Sequence, residues 1–274
     1  MNSESRAATI SPAGLAFDDI AADYDATFTN SSIGRAQRDA VWRILTRTFH
    51  PGDHILELNC GTGEDAVFLG RHGVSVYSCD ASATMVQTAA HRLAAEPGIT
   101  NVSFHHLPTE HIGVLLSELR RFDGVISNFS GLNCVADLQP VSKNLAELVR
   151  PRAQLVLCFC TRICLAEIVY FLVQGQPRKA LRRCSGSTVA QVGDRATQVY
   201  YPTLSQLRET FAPEFVLREC KAVGLAIPPS YLESTFAAHP RLLKILCRFE
   251  RLLAPLPILR VIGDHMVLRF ERRA

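Results

Sequence analysis

The 274-residue sequence predicts an α/β fold: a doubly wound, mostly parallel sheet. Three observations point there. Between residues 55 and 160, short apolar runs alternate five times with segments of helical period, the pattern of strands joined by crossover helices. A glycine bend follows the first of these runs, and Gly or Pro punctuates most of the others. Length and composition suit one enlarged domain or a domain with a cap: 47% hydrophobic against 20% charged residues supports a sizeable core and excludes a disordered chain.

Taken in order, residues 1 to 16 are small and polar without periodicity, and are expected to fray. Phe17 to Thr29 mixes aromatics with acids. Asn30-Ser31-Ser32 offers an N-cap for a helix from Ile33 to Phe49, stopped by Pro51-Gly52. Ile55–Leu58 reads as a buried strand, Gly61-Thr62-Gly63 as a turn, and Glu64–His72 as a helix closed by Gly73. Strand Val74–Cys79, helix Ser82–Ala95, strand Val102–Phe104, a short helix near Gly113–Leu119, strand Phe122–Ser127, helix Leu138–Leu148 and strand Gln154–Cys160 complete the alternation. Beyond it, Ile163–Val173 and Pro177–Arg183 read as helices and Thr188–Tyr201 as a hairpin about Gly193-Asp194, an insertion after strand five. A helix at Leu204–Phe211 and a strand at Phe215–Glu219 follow. Pro228–Gly263 is a second, Leu-rich helical insertion before a closing strand, Met266–Phe270.

Net charge is +3, which lends no support to a phosphate-backbone binder, so no nucleic-acid partner is expected. The start carries no apolar signal core, and no apolar run reaches the length of a membrane span. Nine cysteines, scattered and mostly within apolar runs, read as reduced thiols, which places the protein in the cytoplasm. Cys158, Cys160 and Cys164 have no partner pair at structural-zinc spacing, so no metal is expected.

The segment that carries chemistry is Glu57-Leu58-Asn59-Cys60-Gly61-Thr62-Gly63-Glu64-Asp65-Ala66, with Asp80 at the tip of the next strand. Gly61 and Gly63 let backbone approach a ligand, and Asp80 can accept both hydroxyls of a ribose. Gly61-x-Gly63-x-x-Ala66 formally matches a dinucleotide fingerprint, yet Glu57, Glu64 and Asp65 would repel a pyrophosphate. They would attract a sulfonium and an amino group, which selects S-adenosylmethionine over NAD.

At these residues the chain resembles the class I S-adenosylmethionine-dependent methyltransferases. Phe17-Asp18-Asp19-Ile20-Ala21-x-x-Tyr24-Asp25 precedes the core, Glu57-x-Asn59-Cys60-Gly61-Thr62-Gly63 matches the first motif, Asp80-Ala81-Ser82 with Met85 the second, and Leu148-Val149-Arg150-Pro151 stands before strand five. The resemblance implies a Rossmann-like seven-stranded sheet whose last strand is antiparallel, with the insertions forming a substrate cap. Asn59 stands where the family commonly has Gly, and Asn is a residue suited to unusual dihedrals. Pro108-Thr109-Glu110 stands where family members often place an adenine-binding Asp, which shifts that role to the backbone of Pro108 and Thr109 or to Glu110.

Each candidate has a plainer reading beside the functional one. Glu57 either contacts the methionine end of the cofactor or caps neighbouring amides; Asp80 either holds ribose or caps a helix. Arg38 heads the buried stripe Arg38, Trp42, Leu45, Phe49, and Arg35 lies one turn earlier. Either arginine can fork onto the cofactor carboxylate, or form a surface salt bridge. Tyr24 resembles the family's lid aromatic, against an ordinary core tyrosine. Asn128 is assigned to the cofactor, and Phe129 and Ser130 to substrate, because their loop follows strand four beside the reactive methyl. Arg162 and Cys164 follow strand five, and Tyr200, Tyr201 and Tyr231 lie at insertion edges; all five are placed around the substrate. His265 begins the last strand at the crevice end and is the candidate base, with a structural histidine as alternative. Residues 240–263 carry a Leu-rich stripe with interspersed basic residues, which reads as a packing helix, a lid, or a basic face on a membrane surface.

The expected organisation is a lid segment and helix over 1–50, a cofactor-binding core over 51–161, cap insertion 162–202, core continuation 203–227, helical insertion 228–263 and final strand 264–274. The expected activity is methyl transfer from S-adenosylmethionine to a small, hydrophobic or lipid-like acceptor. Its rivals are cofactor binding without methyl transfer, as in cyclase-like or scaffold proteins, and an NAD-dependent oxidoreductase.

Overall fold

A computed structural model describes residues 11–117, 121–254 and 256–274. Residues 1–10 of the polar start and the last residues of the expected helix Gly113–Leu119 lie outside them; the described part of that helix is a 3-10 helix over Thr109–Ser117. Strands β1 (His54–Leu58), β2 (Ser75–Asp80), β3 (Val102–His106), β4 (Phe122–Ser127), β5 (Val149–Cys160), β8 (Phe215–Val223) and β9 (His265–Arg272) form one seven-stranded sheet, in the order β3-β2-β1-β4-β5-β9-β8. The pairs from β3 through β5 are parallel, and β9 runs antiparallel between β5 and β8. The antiparallel last strand and the mixed sheet therefore match the expected fold.

The strands are apolar because helices cover both faces. On β1, Leu56 and Leu58 enter the core shared with Leu145, Leu155 and Phe270, while Ile55 enters the opposite core with Leu45, Phe49 and Leu69. Helices α2 (Ser32–Thr48), α3 (Glu64–Arg71), α4 (Ala83–Ala94), α5 (Gln139–Leu148) and α8 (Leu204–Phe211) pack around this sheet. Ser31 caps α2 by accepting the Gly34 amide at 2.9 Å, and Ser82 caps α4 by accepting that of Met85 at 3.0 Å. Gly63, the residue before α3, has φ +79°, and a Cβ there would lie 2.7 Å from the Phe104 ring. Both facts require glycine. The winding reverses between β1 and β4, so the ligand crevice of such a sheet opens at their carboxyl ends, where Asn59 and Asn128 begin their loops.

Residues 12–16 do not behave as expected of a fraying start. They open helix α1 (Pro12–Tyr24), which passes through a π-helical turn at Asp25–Thr29 into the Ser31 cap. Its stability is tertiary: the Asp18 carboxylate accepts from Ser82 Oγ at 2.6 Å and the Thr84 amide at 2.9 Å, and Gly14 sits directly against the Ala81 carbonyl. Local periodicity does not record such clamps.

The insertion after β5 contains helices α6 (Leu165–Val173) and α7 (Pro177–Ala180) and the hairpin β6 (Ser187–Val192)–β7 (Arg195–Tyr200). The second insertion carries α9 (Glu233–Ala237) and α10 (Pro240–Leu253). A buried ionic network ties the first of these to the start of β9. Arg183 Nη2 lies 2.6 Å from Glu167 Oε2 and 2.9 Å from Asp264 Oδ1, Arg182 Nε lies 2.9 Å from Glu167 Oε1, and Gln37 Nε2 donates to Asp264 Oδ2 at 3.3 Å. Arg183→Ala leaves two buried carboxylates without their shared cation and is expected to destabilise the fold by about 3–5 kcal/mol in urea denaturation. A loss below about 1 kcal/mol would show that the network is not a structural anchor.

Candidate active site

Under α1, at the carboxyl ends of β1, β2 and β4, lies a cavity of about 670 Å³ including its open mouth. Ala13, Gly14, Phe17 and Tyr24 form its roof; Asn59, Cys60, Gly61 and Thr62 form the bend after β1. Asp80, Ala81 and Met85 contribute from β2 and α4, and Arg38, Asp65, Asn128 and Phe129 close the opposite side. The roof is fixed at its far end as well, because Asp25 accepts from Thr62 Oγ1 at 2.7 Å and pairs with Arg92 at 2.5 Å. Residues from five parts of the chain thus enclose one space.

Two polar groups stand apart in the wall. Asp80 accepts the Gly61 amide on Oδ2 and the Ser82 amide on Oδ1, both at 2.8 Å. Burial raises its pKa, opposed by those two N–H groups. Each oxygen retains a lone pair, so the carboxylate can hold the bend and still accept two ligand hydroxyls. Arg38 is 4% exposed, pairs through Nη1 with Asp65 Oδ2 at 2.7 Å, and lies 4.7 Å over the Phe129 ring. Its Nε is buried without a hydrogen-bond partner, leaving unspent donor capacity beside the cavity.

The negative charge expected around the bend is compensated in the structure. Glu64, Asp65 and Glu57 do not form an open negative cluster. Glu64 is held between Arg35 and Arg92, each at 2.5 Å. Asp65 receives Arg38, Trp42 Nε1 at 2.6 Å and Asn128 Nδ2 at 2.9 Å. Glu57 is buried behind the cavity, accepts from Ser78 Oγ at 2.7 Å, and has its pKa pushed well up, first by burial and then by Asp65. Attraction of a cation by surplus carboxylates is therefore not the organising force.

Other candidates fall in different places. Asn59 has φ +57° and accepts from Thr109 and Ser127 hydroxyls at 3.2 Å, so its side chain pins the bend to β4. Arg35 does not line the cavity because Glu64 and Asn30 hold it on the outer side of α2. Pro108 and Thr109 are buried at the start of the 3-10 helix and Glu110 is exposed, so none of the three lines the cavity either. Gly63 sits behind the bend as the α3 cap residue.

Of the acceptor-side residues, Phe129 alone lines the cavity. Ser130 turns away and donates to Cys160 Sγ at 3.0 Å; Phe129 and Ser130 both have positive φ, a strained pair in the crevice loop. His265 lies behind Phe129 with ring centroids 5.7 Å apart and pairs with Cys160 across the β5–β9 ladder. Its Nδ1 has no hydrogen-bond partner, though it stands 3.5 Å from Asp264 Oδ2. Burial opposes its charged form, but Asp264 and Cys160 outweigh burial and raise its pKa; reciprocally, His265 and Arg183 lower that of Cys160 despite burial. Arg162 and Tyr200 line a separate shallow depression, where Arg162 Nε donates to the Tyr201 carbonyl at 3.1 Å. Cys164 is a buried cap residue of α6, the Tyr201 ring packs under Arg183, and Tyr231 stacks with Phe171 and meets Tyr170 at a tilt, near Glu167. The clamps made by Asp18, Asp25 and Arg92 were missed by sequence reasoning; the run of acids from Asp18 to Asp25 was their only local signal.

A model of the methyltransferase domain matches residues 55–152. Over 173 residues the chain is 31% identical to the demethylmenaquinone methyltransferase of Mycobacterium marinum, covering 60% of this chain and 68% of that one. The chain belongs to the class I S-adenosylmethionine-dependent methyltransferases. The corresponding protein of Clavibacter sepedonicus is also 31% identical, over 145 residues, 52% of this chain. The chain spans 55% of that relative's length. Among solved structures, the cyclase SpnF superposes with a TM-score of 0.65 at 15% identity over 97% of both chains. An S-adenosylmethionine-dependent methyltransferase from Mesorhizobium loti superposes with 0.53 at 15% identity over 86% of this chain and 98% of that one. These two likenesses concern the fold.

The cavity fits the family's cofactor on its own terms: a half-buried acceptor pair at Asp80, a cation at Arg38 with donor capacity left, and apolar walls between them. Glu57 supplies a check on the site's electrostatics. Its folded pKa lies above the ordinary 4.5, so the stability associated with its neutral form is complete below that pH and is lost as pH rises through the folded value. Glu57→Gln is expected to be more stable than the parent at about pH 7, and indistinguishable from it at about pH 4, in denaturant titrations. A destabilised variant at neutral pH would mean that Glu57 is held ionised.

Proposed function

We propose that the chain transfers a methyl group from S-adenosylmethionine to a small, apolar, quinone- or lipid-like acceptor. The observation that carries the reading is the cavity under α1, which joins a ribose-type acceptor at Asp80, a carboxylate-type donor at Arg38 and an apolar roof. In this reading Asp80 takes the ribose hydroxyls, Arg38 the amino-acid carboxylate, and Phe17, Tyr24 and Met85 surround the remainder. Similarity to demethylmenaquinone methyltransferases supports an acceptor of quinone type.

The bound cofactor supplies an electrophilic methyl carbon. The chain's own contribution is alignment and exclusion of water: α1, held by Asp18 and Asp25, covers the space, and Phe129 closes the side toward the acceptor. An acceptor that loses a proton on methylation needs a base. His265 is proposed for that proton; it stands behind the Phe129 ring with Asp264 Oδ2 3.5 Å from its Nδ1, so Phe129 must swing aside for acceptor and imidazole to meet.

Asp80→Ala is expected to weaken S-adenosylmethionine binding about tenfold to a hundredfold by calorimetry, the loss of hydrogen bonds to a charged group. Unchanged affinity removes Asp80 from the site. Incubation of the protein with methyl-labelled cofactor and demethylated quinones is expected to label a quinone. Retained cofactor binding without any labelled product from quinones, or from a broader lipid extract, would favour a binding or cyclase-type role. His265→Gln is expected to abolish the acidic limb of the pH–rate profile, the fall in rate as pH drops through the pKa of the base, while leaving cofactor affinity unchanged; an intact profile assigns His265 to structure alone.

A further inference from the structure

Helix α10 presents three distinct faces. The inner face is anchored: Leu243 packs with Ile33 and Ile227, and the buried Glu250 carboxylate accepts four successive amides, those of Gly224 at 2.8 Å, Leu225 at 3.3 Å, Ala226 at 2.7 Å and Ile227 at 3.2 Å. This seats the helix firmly on the fold. A second stripe, Leu242, Ile245, Phe249 and Leu252, is apolar yet between 44 and 71% exposed. Beside it, at the same spacing, run Arg241, Lys244, Arg248 and Arg251, all exposed. Glu250 is the acid of this helix, and it points inward, so the outward surface carries four positive charges and no negative one.

The surroundings extend both properties. Arg43 of α2 is exposed next to Arg251; its pKa is lowered by burial and by that neighbouring cation, with Asp39 opposing. The turn after α10 exposes Leu256 and Ile258, and it leads to Ile262, whose carbonyl accepts the Leu165 amide at 3.1 Å. There α6 begins, exposing Val169 and Leu172.

We propose that α10 is a docking face for an anionic lipid surface. A helix lying in a membrane interface buries an apolar stripe among acyl chains and sets its Lys and Arg residues among phosphates. The α10 pattern meets both requirements on one rigidly held helix. Charge also argues against the simplest alternative occupant: a two-fold contact with a second copy would oppose four cations with four more. None of the chain's helices, among the described residues, is long and apolar enough to cross a membrane, so the contact is one of lying on the surface. The inference is independent of the methyl-transfer reading, since it uses no residue of the cavity.

Co-sedimentation of the full chain with vesicles tests it. Binding to vesicles of equal parts phosphatidylglycerol and phosphatidylcholine is expected to be at least about tenfold tighter than to phosphatidylcholine alone, and to fall as salt is raised. Ile245→Asp with Phe249→Asp should abolish association while leaving the thermal melt and S-adenosylmethionine affinity unchanged, since both residues are half exposed. Should that variant misfold, Arg241→Gln with Lys244→Gln and Arg248→Gln retains the apolar stripe and should lose the preference for anionic vesicles. No association with anionic vesicles, equal association with both kinds, or association that survives these substitutions overturns the proposal. So does a concentration-dependent dimer abolished by the same substitutions.

Discussion

The buried ion pair between Arg38 and Asp65 is the contact on which the architecture of the crevice depends. It joins α2 to the first turn of α3, and Trp42 and Asn128 complete the carboxylate's hydrogen bonds from two further directions. A buried carboxylate with fewer partners would be expensive, and a buried guanidinium without it more so. With the pair in place, an acidic first turn of α3 can sit beside the glycine bend without a net field. The same pair presents the remaining face of Arg38 to the cavity and stacks it on Phe129, so one interaction sets both the wall and the polarity of the site.

A similar economy governs the added segments. The roof helix α1 is weakly amphipathic and owes its place to side chains that reach other elements: Asp18 to the start of α4, Asp25 to Thr62 and Arg92, and Asp19 to Arg195 on the β6–β7 hairpin at 3.0 Å. The insertion after β5 is held by Arg183 between Glu167 and Asp264, next to His265. The roof helix and the insertion are therefore attached to the core by charged side chains, some paired with cations and some accepting from hydroxyls and backbone amides. Such attachments weaken with salt at the exposed Asp19–Arg195 contact and hardly at all at the buried Arg183 one. The hairpin end of the insertion is thus the looser joint with the roof helix.

The alternation of β1 to β5 with their helices, the hairpin about Gly193-Asp194 and the closing strand were legible because each rests on local period and punctuation. So were Gly61, Asp80 and the positive φ of Asn59, which follow from what a tight bend after a strand demands. The partners of the acids were not. Glu64 meets Arg35 and Arg92 from 29 and 28 residues away in opposite directions along the chain, a relation that no local spacing encodes. An inference from the sum of nearby carboxylates therefore mistook compensated charge for free charge. The helical start at Pro12 and the inward Glu250 escaped for the same reason, as each is defined by a distant backbone or side chain.

The crevice is electrostatically compensated, and in the proposed reading it recognises its ligand through Asp80, Arg38 and apolar walls. The most direct measurement is a calorimetric comparison of S-adenosylmethionine with S-adenosylhomocysteine, which lacks the sulfonium charge but keeps the ribose, adenine and amino-acid groups. Dissociation constants within a few-fold of each other are expected. A preference for the charged cofactor of a hundredfold or more, or binding of neither, would contradict it.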